Sequence, residues 1–360
     1  MAQLLAATLE HLAALVGFDT RNPPRRIDGG GLLGYARARL EAAGCRCSLV
    51  DLGEGCVYLL ALRGEPRILF NVHIDTVPAD PGWSVDPLRL VIEGDRAIGL
   101  GACDIKGALA GMLAALPGTQ GPVALLLSSD EEAGSSRCVR AFLEQHQFAE
   151  VVVAEPTRGL AVLEHRGIGT AMAVFSGVGG HASAARALGD SAVHEAVRWA
   201  GLALQHAAAS EAAGEGLRLN VGAFEGGQKA NMIAASATLR FGVRPPPGLA
   251  PAEALARLFA LATDPARVQF TPGFLAPPLP AAGAQGLAAA RASTMALATR
   301  LGVGLGAAVD FWTEAALFSA AGATALVFGP GDIAQAHTAG EWVALAELAA
   351  AADVYRRMWS

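Results

Sequence analysis

The sequence lacks three features that would each define a class of protein: a basic surface, a disulfide framework and a membrane-length apolar segment. Its formal net charge is -6 and its Lys and Arg residues are scattered, so no nucleic-acid partner is expected. Its five cysteines are odd in number and form no CxxC pair, which favours a reducing compartment, the cytoplasm. Apolar stretches are interrupted before they reach the roughly 18 residues of a membrane span, so no membrane association is expected.

The composition is that of a folded globular protein. Of the 360 residues, 52% are apolar and 17% are charged, so we expect a sizeable core in one large domain or two smaller ones. The N-terminal stretch carries Glu10 and His11 where a signal peptide would be apolar, and its leucines recur at helical spacing. We expect an amphipathic first helix there.

The first part of the chain alternates between strand and helix patterns. Short apolar runs predict strands at 67–72, 123–127 and 150–154, with helical stretches between them, and a further strand is predicted at 323–328. This alternation predicts an α/β domain with a mainly parallel central sheet covered on both faces. Ligand sites in such sheets lie beyond the carboxyl ends of the strands.

The pattern changes after residue 166. The order strand, helix, strand, strand, helix, strand is predicted over residues 167–272, and this βαββαβ order is typical of a split ferredoxin-like unit. We therefore predict a catalytic domain in two parts, residues 1–166 and 273–360, with an inserted domain over residues 167–272.

Side chains that can bind metals or move protons follow the predicted strands. They are His73, Asp75, the run Asp130-Glu131-Glu132, Glu155 and His337. Each has a simpler interpretation alone: a strand-end histidine is commonly structural, an acidic run is commonly solvated, and Asp104 in a neighbouring loop can cap a helix. On one sheet edge, however, imidazole and carboxylate groups form the ligand set that zinc accepts. Two metals sharing a carboxylate and a water lower the pKa of that water towards ~7, so a hydrolytic metal site is predicted.

Nine motifs occur in an order that resembles one known family. They are FDTRNPP (18–24), VHIDTVP (72–78), GLGACDIKG (99–107), SSDEEAGS (128–135), AEPT (154–157), HRG (165–167), GHAS (180–183), GGQKANMI (226–233) and GPGDIAQAHT (329–338). The family is the two-metal deacetylases and exopeptidases that include acetylornithine deacetylase, succinyl-diaminopimelate desuccinylase and aminoacylase. The resemblance covers almost the whole chain. It implies a metallopeptidase-like catalytic domain and an inserted domain that serves as a lid or for dimerisation, so that a homodimer can form.

The resemblance also implies a metal site. His73 and Glu155 would bind one divalent ion, Glu132 and His337 would bind the other, and Asp104 would bridge the two. The two ions would be zinc or cobalt, since both suit these ligands.

Three further residues take catalytic roles by the same resemblance. Glu131 would take a proton from the attacking water and pass it to the leaving nitrogen. Asp75 would orient the ring of His73. His181 matches the family's lid histidine, which donates a hydrogen bond to the developing oxyanion; a structural loop histidine is the alternative.

Five positions match the family's substrate contacts less specifically. Asn231, Arg244 and Lys229 fall where the family binds substrate, and an Arg suits an α-carboxylate because its fork pairs bidentately. A surface or domain-packing role for Arg244 is the alternative. Backbone N–H groups of Gly329 and Gly331 could bind the same carboxylate, or the loop could be only a turn.

The substrate expected from the resemblance is an N-acetylated amino acid. The VDFWTEA and GPGDIAQAHTA segments look more like the bacterial acetylcitrulline deacetylases, which act in arginine biosynthesis, than like acetylornithine deacetylases. Asp310, Glu314 and Asp332 could each bind the ammonium of ornithine, so the residues alone do not decide between these substrates. A dipeptidase or aminoacylase is a further alternative, and so is a catalytically inactive metal-binding or regulatory protein, although the complete ligand set with Glu131 argues against inactivity.

Overall fold

The computed structural model describes residues 1–134 and 136–360; Ser135, the last residue of the SSDEEAGS motif, lies outside the described residues. The strands are β1 (Arg46–Asp51), β2 (Val57–Arg63), β3 (Ile68–His73), β4 (Val91–Glu93), β5 (Arg96–Ile98), β6 (Val123–Ser128), β7 (Glu150–Val153), β8 (Ile168–Ser176), β9 (Gly180–His181), β10 (Arg218–Gly226), β11 (Met232–Ile233), β12 (Ser236–Arg244), β13 (Val268–Ala276), β14 (Thr324–Val327) and β15 (Trp342–Ala344). The α-helices are α1 (Ala2–Val16), α2 (Gly31–Ala42), α3 (Gly107–Ala115), α4 (Arg137–Leu143), α5 (Ala187–Asp190), α6 (Ala192–Ala212), α7 (Pro251–Phe259), α8 (Leu287–Leu301), α9 (Ala315–Ala320) and α10 (Leu345–Trp359).

The chain divides into two compact units, which are described separately. The first comprises residues 1–163, 289–308 and 313–360, and the second comprises residues 164–288 and 309–312. The predicted end of the insertion at residue 272 falls inside β13. A Pro-Gly pair at this point breaks the strand pattern in the sequence, but β13 continues through a register shift and pairs with β8 as far as Ala276. Such a bulge hides a strand from pattern reading.

The first unit is built on a six-stranded sheet in the order β1-β2-β6-β3-β7-β14. Strands β6, β3, β7 and β14 run parallel to one another, while β2 is antiparallel to both of its neighbours, β1 and β6. The predicted mainly parallel sheet is thus observed. The antiparallel strands β1 and β2 at one edge of the sheet were not predicted from the alternation of helices and strands.

Both faces of this sheet are covered, as the continuous apolar strands predict. On one face, helices α1, α3 and α10 pack together, and Phe70 contacts Tyr355 and Trp359 of α10 edge-on. On the other face, Phe142 of α4 packs between Tyr58 and Phe318 of α9. Helices therefore bury both faces of the sheet, and a ligand site is expected beyond the carboxyl ends of its parallel strands.

The second unit contains a four-stranded antiparallel sheet in the order β10-β12-β8-β13. Alternate residues of β8 and β12 are buried, as expected for a sheet with one face on the core. Trp199 of α6 packs at 4.9 Å from Phe241 and 5.4 Å from Phe270, and its indole N–H donates to Leu258 O at 3.0 Å. The observed element order is the predicted βαββαβ unit, with the short strands β9 and β11 added as a separate pair.

Among the described residues, no helix is both long and apolar enough to cross a membrane.

Candidate metal centre and active site

Three predicted ligands meet at the carboxyl end of the parallel sheet. His73 is the last residue of β3, Glu155 follows β7, and Asp104 lies in the turn before α3. Nε2 of His73 lies 3.0 Å from Oδ1 of Asp104 and 3.9 Å from Oε1 of Glu155. All three side chains are buried, so their charges face one another in a protected pocket.

The other oxygen of Asp104 faces a second ligand group. Its Oδ2 lies 3.3 Å from Nε2 of His337, and that nitrogen lies 2.9 Å from Oε1 of Glu132. The two carboxylate oxygens of Asp104 thus point at different histidines. The result is two groups of three ligand atoms with Asp104 shared between them, each group spanning no more than 4.8 Å.

This donor set fits two divalent ions. Two atoms bound at 2.0–2.2 Å to one tetrahedral zinc ion lie roughly 3.3–3.6 Å apart. The nitrogen–oxygen distances here run from 2.9 to 3.9 Å. The ligand atoms therefore already stand at about the separations that metal binding requires, and each group mixes imidazole nitrogen with carboxylate oxygen as zinc prefers.

The charges of the site are held by mutual pairing. Burial would raise the pKa of Asp104, but hydrogen bonds from His337 and His73 hold that pKa below its ordinary value. The hydrogen bonds that His337 donates to Asp104 and Glu132 raise the pKa of His337 to about 10. Burial and the neighbouring Asp104 carboxylate raise the pKa of Glu155 well above its ordinary value. In the absence of a metal, protons bound to the histidines and to Glu155 therefore offset part of the negative charge of this carboxylate cluster.

Asp75 does more than the predicted orientation of His73. Nδ1 of His73 lies 3.1 Å from the backbone oxygen of Asp75 and 3.5 Å from its carboxylate. The carboxylate of Asp75 instead accepts the backbone N–H of Glu131 at 3.3 Å, that of Glu132 at 3.0 Å, and the amide of Asn22 at 3.1 Å. It therefore links the histidine to the two-glutamate turn, a connection that the sequence does not reveal.

Glu131 lies beside the ligands without belonging to either ligand group. Burial raises its pKa well above the ordinary value, and the charges of Glu132, Glu314 and Asp75 add to this, while His73 lowers it. A carboxyl group whose pKa is raised in this way suits the role of a general base near neutral pH.

Of the two alternatives for the GPG loop, carboxylate binding or a turn, the hydrogen bonds of its glycines favour the turn. The N–H of Gly329 donates to Oγ1 of Thr157 at 3.1 Å, and the N–H of Gly331 donates to the Glu347 carboxylate at 2.6 Å. Both donors are therefore already engaged. A Cβ at Gly329 would lie 2.6 Å from Glu155 O, so this glycine lets the loop approach the Glu155 segment closely, which is the packing alternative to substrate binding.

His181 lies on the surface of the second unit, where β9 pairs with β11. Its Nδ1 is 2.7 Å from Ser183 Oγ and accepts the Ser183 backbone N–H at 3.3 Å. A nitrogen that accepts an N–H carries no proton in the neutral ring, so Nε2 is the protonated nitrogen. His181 thus presents a hydrogen-bond donor.

The other predicted contacts of the second unit lie near its surface. Arg244 is the last residue of β12; burial lowers its pKa, and its guanidinium has no ion-pair partner among the residues described. Asn231 and Lys229 are exposed in the turn before β11, where their backbone oxygens accept N–H groups from Ala182 and Met232. Arg244 therefore offers an unpaired positive charge suited to a carboxylate.

Of the three carboxylates considered for an ornithine ammonium, two are ion-paired within their own units and the third is buried. Asp310 pairs with Arg166 and Arg218, at 2.9 and 2.6 Å. Asp332 pairs with Arg158. Glu314 is buried and accepts the Ser128 hydroxyl at 3.1 Å, and burial raises its pKa to about 8, so its charged form is disfavoured.

Sequence reasoning missed two buried polar residues beside the site. The carboxylate of Glu341 contacts the loop that carries Asp104, and burial raises its pKa to about 7 against the lowering effect of backbone N–H donors. Asn22 holds Asp75 as described. Both residues lie within or next to the motifs that resemble the family. The signal that could have identified them is an acidic or amide residue in such a motif to which no catalytic role had been assigned.

Comparison with known proteins identifies the family and the fold. Residues 69–360 match the family described as Peptidase family M20/M25/M40. The chain is 51% identical over 354 residues to the N-acetyl-L-citrulline deacetylase of Xanthomonas campestris pv. campestris, covering 97% of this chain and 96% of that protein. It is 33% identical to the acetylornithine deacetylase of Myxococcus xanthus, covering 97% and 95%. A Bacillus subtilis structure described as a dinuclear metal-binding peptidase of the M20 family matches with a TM-score of 0.67 at 13% identity, covering 99% and 98%; this confirms the expected metallopeptidase-like fold.

Proposed function

This chain belongs to the peptidase family M20/M25/M40, and from that premise we propose that it is a metal-dependent deacetylase that hydrolyses N-acetyl-L-citrulline to L-citrulline and acetate. The expectations of an enzyme and of this family are confirmed by the comparisons. The observation that carries the hydrolytic proposal is the pair of ligand groups that share Asp104.

The metal ligands are proposed as His73 and Glu155 on one side and Glu132 and His337 on the other, with Asp104 between them. Bound there, two zinc or cobalt ions would polarise the amide carbonyl and lower the pKa of a shared water. The matching separations of the ligand atoms support this assignment.

Glu131 is proposed as the proton-transfer group. It takes the proton from the attacking water and delivers it to the amide nitrogen as the C–N bond breaks, which lets acetate and the free amine leave. Its raised pKa and its place outside both ligand groups support this role. His181, with Nε2 as donor, is proposed to stabilise the oxyanion, and Arg244 to bind the substrate α-carboxylate.

The citrulline side chain is favoured by two observations. The relative at 51% identity is an N-acetyl-L-citrulline deacetylase, against 33% for an acetylornithine deacetylase. Two of the carboxylates considered for an ammonium are ion-paired, and the third, Glu314, is buried with a raised pKa that disfavours its charged form. An ornithine ammonium would therefore lose its hydration without gaining one of these partners.

The test is a comparison of kcat/KM for acetylcitrulline and acetylornithine. We expect acetylcitrulline to be preferred by at least tenfold, which corresponds to only about 1.4 kcal/mol and so to a single lost hydrogen bond. Equal or higher efficiency on acetylornithine would reject the citrulline assignment. Activity on acetylmethionine or simple dipeptides, without activity on acetylcitrulline or acetylornithine, would support the aminoacylase or dipeptidase alternative.

The setting proposed for this reaction is arginine biosynthesis in the cytoplasm, with the enzyme acting as a homodimer through its second unit. Five free cysteines support a reducing compartment. Val197 and Leu204 lie seven residues apart on α6 with exposed fractions of 53% and 51%, and such an apolar stripe suits a subunit contact. Sedimentation of the purified protein tests the dimer.

A further inference from the structure

The loop that carries Asp104 is held by a carboxylate from a distant part of the chain. Glu341 lies four residues after His337 and is only 2% exposed. Its Oε1 accepts the backbone N–H groups of Cys103 and Asp104, each at 2.9 Å, and its Oε2 accepts the N–H of Gly101 at 2.9 Å. Backbone N–H groups that converge in this way form an anion-binding concavity.

The backbone of Glu341 is fixed on the same side. Its carbonyl oxygen accepts the N–H of Gly99 at 3.0 Å. The next residue begins β15, which pairs with β5 so that Trp342 lies opposite Ile98. Glu341 therefore has little freedom to move relative to the loop that it binds.

These contacts join the supports of two proposed ligands. The loop 99–104 carries Asp104, and the segment that ends at Glu341 carries His337. A bridging carboxylate must direct each oxygen at a different metal, so a small rotation of the Asp104 backbone would spoil both sites at once. Glu341 is not a member of either ligand group, and its carboxylate oxygens bind backbone N–H groups of the loop and not the Asp104 side chain.

We propose that Glu341 is a positioning residue that fixes the backbone of Asp104 and thereby sets the two-metal geometry. The inference rests on the proposed metal-dependent function. An amide in place of the carboxylate has one oxygen and one NH₂ group, so at least one of the three backbone N–H groups would face another donor. The substitution therefore removes a hydrogen bond to the loop backbone and leaves every ligand atom in place, which distinguishes this role from metal binding.

The experiment compares three proteins: wild type, Glu341→Gln and the control Glu150→Gln. Glu150 is also buried in the first unit, where it pairs with Arg67 and Arg300, so its substitution reports loss of a buried carboxylate away from the site. Metal content is measured by competition with a chelator, and the visible spectrum of the cobalt-loaded protein reports the coordination geometry.

We expect Glu341→Gln to bind metal ten- to a hundredfold more weakly, with a changed cobalt spectrum, as for other residues that support ligands. At saturating metal, kcat should fall while KM changes less than twofold. Glu150→Gln should lose thermal stability but keep the metal affinity and spectrum of wild type. Wild-type metal affinity and an unchanged spectrum in Glu341→Gln would overturn the inference, whereas a wild type that binds no metal would reject the proposed function instead.

A measurement on the wild type covers the case in which Glu341→Gln does not fold. Amide hydrogen exchange of the metal-free protein should be slow at Gly101, Cys103 and Asp104, because the Glu341 carboxylate protects these N–H groups whether or not metal is bound. Rapid exchange at Cys103 and Asp104 before metal is added would overturn the inference, since the loop would then be ordered by the metal and not by Glu341.

Discussion

The buried carboxyl group of Glu314 should make the stability of the metal-free protein depend on pH. Its side chain is 1% exposed. Its Oε2 accepts the Ser128 hydroxyl at 3.1 Å, while its Oε1 has no hydrogen-bond partner among the described residues. Burial raises the pKa of this group from an ordinary 4.5 to about 8, and the charge of Asp130 adds to the effect.

The direction and size of the effect follow from proton linkage. The unfolded chain releases the Glu314 proton near pH 4.5, whereas the folded protein keeps it until about pH 8. The stabilising contribution is therefore complete below pH 4.5 and is lost as the pH rises to 8. At about 1.36 kcal/mol per pKa unit, the two pH units from 5.5 to 7.5 correspond to about 3 kcal/mol.

The variant Glu314→Gln cannot ionise and should escape this loss. Its free energy of unfolding relative to wild type should rise by about 3 kcal/mol between pH 5.5 and 7.5 and level off above pH 8. The amide places N–H groups where Oε1 finds no partner, which costs about 1–3 kcal/mol at every pH. The slope with pH, and not the absolute difference, is thus the quantity to compare.

Urea unfolding of chelator-treated protein, followed by circular dichroism at pH 5.5, 6.5, 7.5 and 8.5, measures this slope. Glu93→Gln, which removes an exposed carboxylate from β4, serves as the control for the loss of one surface charge. A difference between Glu314→Gln and wild type that stays constant or shrinks as the pH rises would show that Glu314 is ionised in the folded protein, and the reasoning from burial would be refuted.

Further predictions concern the active site and the second core. Glu131→Gln should keep both metals but lose kcat by about 10²–10⁴-fold; metal analysis with near-normal turnover would remove Glu131 from the proton-transfer role. Chelation should abolish activity and zinc or cobalt should restore it, whereas full activity in a preparation shown to be metal-free would contradict the two-metal site. Gly329→Ala should displace the Glu155 segment, because its Cβ would lie 2.6 Å from Glu155 O. Metal titration should then show an affinity at least about tenfold lower than that of wild type. Trp199→Ala should destabilise the second unit by about 3–5 kcal/mol, as judged by urea unfolding; a change below about 1 kcal/mol would contradict its central place in that core.

The sequence was most informative where structure depends on near neighbours. The apolar runs predicted β3, β6 and β7 to within about two residues, since burial on both faces leaves a continuous apolar run that is visible locally. In parallel strands the carboxyl ends share one edge, which is why the strand-end position of His73 and Glu155 predicted that they would meet. The motif around Asp104 then supplied the third member of the cluster by resemblance.

The sequence was less informative about backbone donors. It left open whether the N–H groups of Gly329 and Gly331 bind a substrate carboxylate or whether their loop is only a turn. In the folded chain Thr157 and Glu347 accept those bonds. Whether a donor is free depends on every side chain that reaches it, and that information is not local.

The role of Glu341 shows the same division most clearly. Its sequence context predicts only an acidic residue four positions after His337, yet its oxygens bind N–H groups about 240 positions earlier in the chain. The sequence by itself determined the strand pattern, the family and the ligand types, because these are recorded in residue identity and short spacing. Only the tertiary structure decided which buried carboxylates bind backbone and which face the reaction, because that outcome depends on the directions of N–H groups brought together by folding.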